Sequence, residues 1–262
     1  MALADTALET ELLDVAVVAA RAAGAGLLAR WRRPLEVGTK STPTDPVTEA
    51  DVAAEHAIRE VLTALRPADS ILGEEGGETG NGTVRWVVDP LDGTVNYMYG
   101  LPTFAVSVAV EDRDGWLAGA VLDPVGDELY TATRSGSPER NGELITASSC
   151  GEMSHALIGT GFGYDAEVRA LQAQVAACVI PAARDIRRAG AATLDMCSCA
   201  AGQLDGYYER GVKPWDIGAG TLICERAGLA VRTLEPDGIL PSGVVVAPHA
   251  LIDELMSLVA GA

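Results

Sequence analysis

Apolar residues recur at helical spacing through the amino-terminal part of the chain. Leu8, Leu12, Val15, Ala19, Ala22 and Gly26 share one face of a helix predicted over residues 6–31, with Thr6-x-x-Glu9 as a capping box at its start. A second helix is predicted from Thr48 through Val52, His56, Val61 and Leu65, stopped by Arg66-Pro67. A polar loop, residues 38–46, separates the two. After Pro67 the pattern changes to short apolar runs at 70–72, 84–88, 105–110 and 116–123, divided by Gly- and Asp-rich turns. These predict an antiparallel sheet region. From about Ser154 strands and helices alternate: strands at 156–159, 185–189, 206–209 and 243–247, with helices near 165–178, 191–201 and 217–227 and one at the end. The order implies an α+β first half, residues 1–150, joined to an α/β second half, residues 151–262, in one compact unit. No low-complexity linker or internal repeat divides them, so a site in the crevice between halves is expected.

Charge narrows the partners. Across 262 residues, 37 Asp and Glu oppose 19 Lys and Arg, a formal charge of -18. That excess disfavours nucleic acid and anionic membrane, both of which are gripped through Lys and Arg. It also requires something cationic wherever a phosphate ester would bind, and metal ions are the simplest source. The amino terminus lacks secretory-signal features, and no run reads as the ~20 apolar residues of a membrane span. Five cysteines, Cys150, Cys178, Cys197, Cys199 and Cys224, lack paired metal-finger spacing and fit a reducing cytoplasm. Cys197 and Cys199, two apart on a helix, diverge and read as small core residues. His56, His155 and His249 stand alone and are assigned no ligand role.

The candidate chemistry lies in the acids. In Trp86-Val87-Val88-Asp89-Pro90-Leu91-Asp92-Gly93-Thr94 an apolar strand enters a tight turn holding two carboxylates, a glycine and a hydroxyl. Such a turn can aim Asp89, Asp92 and the Leu91 carbonyl at one point, the hard oxygen donors that Mg²⁺ prefers. If Thr94 opens a helix, the Gly93 and Thr94 amides add an anion site beside them. The alternative is a solvated Asp-rich turn. Glu74 and Glu75 end another short strand and, taken alone, read as solvated surface. Asp216 in Trp215-Asp216-Ile217-Gly218-Ala219-Gly220 has a plain account as a helix cap, as does Asp51 in Thr48-x-x-Asp51.

Together these segments resemble the inositol monophosphatase family. Its two signatures appear as Asp89-Pro90-Leu91-Asp92-Gly93-Thr94 and Trp215-Asp216-Ile217-Gly218-Ala219-Gly220, flanked by Lys40-Ser41-Thr42-Pro43-Thr44-Asp45-Pro46-Val47-Thr48, Gly73-Glu74-Glu75-Gly76 and Asp205-Gly206-Tyr207-Tyr208-Glu209. The segments 71–77 and 160–164 look like those of bacterial inositol-1-monophosphatases. The resemblance implies the layered αβαβα sandwich shared with fructose-1,6-bisphosphatase, usually as a homodimer. It implies metal ligation by Glu74, Asp89, the Leu91 carbonyl, Asp92 and Asp216, with Glu75 and Lys40 adjusting charge around them. It assigns catalysis to Asp51, Thr94 and Glu74. Substrate contacts would come from Gly93, Thr94, Asp92, Gly190, Ala191, Ala192, Glu209 and Asp216.

On that resemblance the chain would be a cytoplasmic hydrolase of small phosphate monoesters using two or three Mg²⁺, with Thr94 oriented by Asp51 to position the attacking water. Ala191 departs from the Ser or Thr often found there, which removes one hydroxyl but leaves the backbone amide. Inositol 1-phosphate is the first expectation for the substrate. Glu209 suits a neutral polyol, and could also attract the amine of histidinol phosphate, the second expectation; fructose 1,6-bisphosphate and phosphoadenosine phosphate are handled by relatives. A non-catalytic interaction protein and a structural Ca²⁺ binder are the readings of other classes.

Overall fold

The structure is a computed structural model that describes residues 2–33, 37–39 and 46–260. Its helices are α1 (Ala2–Arg30), α2 (Glu49–Leu65), α3 (Thr94–Met98), α4 (Ala166–Val179), α5 (Ala192–Ala200), α6 (Pro214–Arg226) and α7 (Ile252–Ala260). An eight-stranded sheet runs, edge to edge, Glu143–Leu144, Glu139–Arg140, Glu128–Thr133, Gly115–Asp123, Ala105–Asp112, Arg85–Asp92, Ser70–Gly73 and Gly77–Thr79. Its neighbours are antiparallel except Ser70–Gly73 beside Arg85–Asp92, which run parallel because α2 precedes the first and a hairpin strand separates the two. A five-stranded sheet runs Asp185–Arg187, Leu157–Thr160, Gly206–Arg210, Gly243–Ala247 and Ala230–Leu234.

The layers follow from the two-residue alternation of side chains along strands. On Ala105–Asp112, Val106, Val108 and Val110 face α1 and α2, while Ala105 and Ala109 face the opposite way, toward α5 and α6. Ala118, Ala120 and Leu122 repeat the first direction on Gly115–Asp123, and Val121 the second. The far face of the five-stranded sheet packs on α4 and α7 through Ile158, Tyr208, Val245, Val175 and Leu255. The result is an α+β fold of five layers, αβαβα, as expected. Small residues let the central helices sit close: a Cβ added to Gly119 would lie 3.0 Å from the Ala219 Cα of α6.

Several local expectations are corrected. α1 begins at Ala2, so Thr6 lies inside it and does not cap it. The Glu9 carboxylate instead accepts the Ser135 amide at 2.8 Å. The buried stripe is Leu12, Val15, Ala16, Ala19, Ala20, Ala23 and Leu27, whereas Leu8 is exposed and Ala22 and Gly26 half-buried; alanines on every side of this helix blur its periodicity. Residues 6–30 also have the length and apolarity of a membrane span, contrary to expectation, but the stripe packs on α2 and the sheet as a core helix does. In α2 most of the expected face is turned outward: Val52, His56 and Leu65 are exposed and only Val61 packs against the core, while Asp51 and Glu55 are buried with Ala50, Ala54, Ile58 and Leu62. Short strands at Gly77–Thr79, Glu128–Thr133, Glu139–Arg140, Glu143–Leu144 and Ala230–Leu234 escaped the sequence reading.

Gly119→Val tests the close approach of α6. The intrinsic strand preference of valine is worth at most ~1 kcal/mol, less than the ~1–3 kcal/mol of overpacking. Thermal unfolding should therefore show a Tm lowered by several degrees; an unchanged or raised Tm would mean that the layers are free to separate.

Candidate active site

The strand Arg85–Asp92 is regular until Asp89, which pairs with Ser107; the next pairing is Asp92 with Ala105. Three steps on one strand against two on the other make a bulge at Pro90, which has no N–H to give the ladder. Within the bulge the Leu91 amide donates to Asp89 Oδ1 at 3.0 Å. Gly93 then turns the chain at φ 86°, where an added Cβ would stand 2.9 Å from the Thr103 carbonyl. Thr94 opens α3, as expected, and its hydroxyl lies 3.0 Å from Asp51 Oδ1 and 3.1 Å from the Leu91 carbonyl.

Three acids stand at helix amino termini. Asp51 is the third residue of α2, and its Oδ2 accepts both the amide and the hydroxyl of Thr48, at 2.8 and 2.6 Å. Asp216 is the third residue of α6 and accepts the Lys213 amide at 2.6 Å. Asp92 reaches across the layers to α5, whose N-cap Ala191 has no side-chain acceptor. Its Oδ2 takes the Thr193 amide at 2.7 Å and the Thr193 hydroxyl as well. The cap that Ala191 lacks is thus supplied from 101 residues away.

Glu74, Asp89, Leu91, Asp92, Gly93, Thr94, Gly190, Ala192, Glu209 and Asp216 line one pocket of about 460 Å³. Burial pushes Asp89 well above the usual carboxylate range, reinforced by the charges of Glu74, Asp92 and Asp216. Asp216 is driven up by burial and then by Asp92, with the Lys213 amide opposing. Burial raises Asp92 too, against the hydrogen bonds from Thr193. Asp92 and Asp216 keep some exposed surface and line the pocket.

This oxygen-only donor set fits a hard divalent cation, which would relieve the mutual repulsion. Among the described residues no three such side chains are drawn together as a ready-made cage. Asp92 and Asp216 each commit one oxygen to a helix terminus. Mg²⁺ tolerates this because it keeps several waters and commonly takes one or two carboxylates per ion.

Other expected residues are placed less directly. Glu209 lines the pocket beside a donating Tyr207 hydroxyl, and burial raises it to about 7. Ala191 has a buried side chain that is not part of the pocket lining, and a Cβ on Gly93 would meet it at 3.3 Å. Glu75 also stands off the pocket, with its amide donated to Glu55 Oε2 at 2.7 Å. Lys40 lies outside the described residues.

The structure adds residues that sequence reasoning missed. Arg188 and Lys213 bring positive charge to the pocket wall. Asn96 donates to the Thr103 and Ala189 carbonyls, at 2.7 and 2.9 Å, and so ties the Gly190 loop to α3. Asp195, raised to about 8 by burial and then by Glu209 and Asp92, lines a separate pocket with Arg187 and Arg188. An uncapped helix start at Ala191 was the available signal for Thr193; Arg188 had none beyond proximity to Gly190.

Known proteins resemble this chain in sequence and in fold. A family model described as "Inositol monophosphatase family" matches residues 8–260. Inositol-1-monophosphatase SuhB of Mycobacterium tuberculosis is 45% identical over 232 residues, 84% of this chain and 80% of that protein. The Nus factor SuhB of Haemophilus influenzae is 37% identical, with 94% of each chain covered. The solved inositol monophosphatase of Anabaena superposes with a TM-score of 0.85 at 33% identity, covering 96% of both chains. Fold, family match and relatives agree that the chain belongs to the inositol monophosphatase family.

Proposed function

We propose that this chain is a Mg²⁺-dependent phosphoric monoester hydrolase acting on myo-inositol 1-phosphate or a similar small polyol phosphate. The observation that carries the reading is that Glu74, Asp89, Asp92, Asp216 and Leu91 line the same pocket as Thr94, whose hydroxyl lies 3.0 Å from Asp51 Oδ1. Family membership and a relative named inositol-1-monophosphatase support the reaction class.

Glu74, Asp89, the Leu91 carbonyl, Asp92 and Asp216 would hold about two or three ions. When bound, Mg²⁺ would offset the charge of the phosphate, acidify an attacking water and stabilise the departing alkoxide. The chain's own residues do the positioning. Asp51 Oδ2 is saturated by Thr48, which leaves Oδ1 as the acceptor for the Thr94 hydroxyl. With its proton directed back to Asp51, Thr94 Oγ1 presents lone pairs to the pocket and can orient a water by accepting its hydrogen. The Gly93 and Thr94 amides would receive phosphate oxygens. Glu209, Gly190 and Ala192 would bound the polyol, and Arg188 offsets the charge of Glu209.

A second reading is favoured by the relative named Nus factor SuhB: a non-catalytic interaction role for the same fold. The two separate on Asp89→Asn, which would end hydrolysis and leave an interaction surface intact.

Steady-state assays with Mg²⁺ should favour inositol 1-phosphate over histidinol phosphate, fructose 1,6-bisphosphate and phosphoadenosine phosphate by at least about tenfold, roughly 1.4 kcal/mol at the transition state. Activity should vanish with a chelator and return with Mg²⁺ but not Ca²⁺. A preference for histidinol phosphate would replace the substrate. Asp89→Asn and Asp216→Asn should abolish turnover while circular dichroism stays native, since asparagine still caps α6. Substantial turnover in either variant counts against the mechanism. Thr94→Ala should lower kcat about 10²–10⁴-fold with little change in Mg²⁺ dependence, and Thr94→Ser should recover most of it; equal losses in both would remove the hydroxyl from the chemistry.

A further inference from the structure

The inward face of α2 carries three polar side chains four residues apart: Asp51, Glu55 and Arg59. Asp51 serves Thr94. Glu55, buried at 3% exposure, serves the turn between strands Ser70–Gly73 and Gly77–Thr79. Its Oε2 accepts the Glu75 amide at 2.7 Å, and its Oε1 accepts the Gly76 amide at 2.8 Å and Arg59 Nε at 2.7 Å. Arg59 in turn donates to the Gly77 carbonyl at 2.6 Å and to Thr79 Oγ1 at 2.9 Å. One carboxylate and one guanidinium thus pin the turn, and Glu74 is the residue of that turn that lines the pocket.

The glycines of Gly73-Glu74-Glu75-Gly76 match this clamp. A Cβ on Gly73 would collide with the Glu55 carboxylate, and one on Gly76 would stand 2.7 Å from Glu55 Oε1. Glycine on both sides of the acids therefore leaves space for a carboxylate arriving from α2.

We propose that Glu55 is a positioning residue: bound to the turn from behind, it fixes where Glu74 stands and so sets the affinity of the pocket for a divalent cation. Because Asp51 lies one turn earlier on the same helix, α2 holds the Glu74 carboxylate and the Thr94 hydroxyl at a fixed separation. This inference rests on the Mg²⁺-dependent phosphatase reading above.

Glu55→Gln tests it. The glutamine is isosteric, but its terminal NH₂ cannot accept, so one of the two turn amides loses its partner. Calorimetric titration of the full-length, substrate-free protein with Mg²⁺ alone should show binding weakened about tenfold or more, the size usual for residues that orient metal ligands. Hydrogen exchange at the Glu75 and Gly76 amides should quicken, and kcat at saturating Mg²⁺ should fall less than the affinity. Ile58→Val, a buried change on the same helix that does not touch the turn, should lower Tm yet leave Mg²⁺ affinity unchanged. Arg59→Met, the second variant, should weaken Mg²⁺ binding in the same direction as Glu55→Gln. Wild-type affinity in Glu55→Gln or Arg59→Met, or an equal loss in Ile58→Val, overturns the proposal. A wild-type protein that binds no Mg²⁺ and hydrolyses no phosphate monoester in its presence removes the Mg²⁺-dependent phosphatase reading instead, and this inference with it.

Discussion

Burying like charges together is the constraint around which the rest of the molecule is arranged. Two carboxylates 4 Å apart repel by about 4 kcal/mol at the effective dielectric of a protein surface, and more in a drier place. Three helices each turn their amino terminus toward one acid: α2 toward Asp51, α5 toward Asp92 and α6 toward Asp216. Such an end contributes about 0.3–1 kcal/mol, up to roughly 2 in partly buried geometry. The helix ends therefore offset part of the cost and not all of it: burial, joined by neighbouring carboxylates at Asp89 and Asp216, keeps Asp89, Asp92 and Asp216 above their ordinary range. The remaining imbalance is what a divalent cation would remove.

The same arrangement binds the two sheets into one body. Asp92 holds α5, Asn96 holds the loop before it, and the Ser107 hydroxyl meets the Trp215 carbonyl at 3.3 Å at the start of α6. Each link joins the eight-stranded sheet, or the helix that follows its strand, to the central helices. Stability and site geometry are consequently carried by shared hydrogen bonds, and a change that loosens the layers will also move the acids.

The strands were legible where apolar runs were unbroken: the expected cores at 105–110 and 116–123 lie inside observed strands, 84–88 overlaps Arg85–Asp92 from its second residue, and 243–247 is matched end to end. The acids of the two signatures were legible because Asp, Pro and Gly at a strand end leave few conformations open. The facing of α2 was hidden because Asp51 and Glu55 look like solvent residues until the Thr48, Thr94 and turn amides that receive them are in place. Tertiary hydrogen bonds overrode the hydrophobic pattern there, and Val52 was left outside. In α1, alanine on every side gave periodicity little contrast. Thr193, Arg188 and the Glu55 clamp depend on pairings between distant segments, which one chain read in order does not expose.

The small residues beside Asp216 carry a different kind of information from the aspartate itself. A Cβ on Gly218 would stand 2.7 Å from the Trp116 ring, and one on Gly220 would stand 2.9 Å from Met196. Glycine at these two places lets α6 nest between a strand and its neighbouring helix. A descendant that traded Asp216 for an inert residue could keep Gly218 and Gly220 and assemble the same helix pair. Within that signature the glycines record ancestry of shape, and the single acid records chemistry.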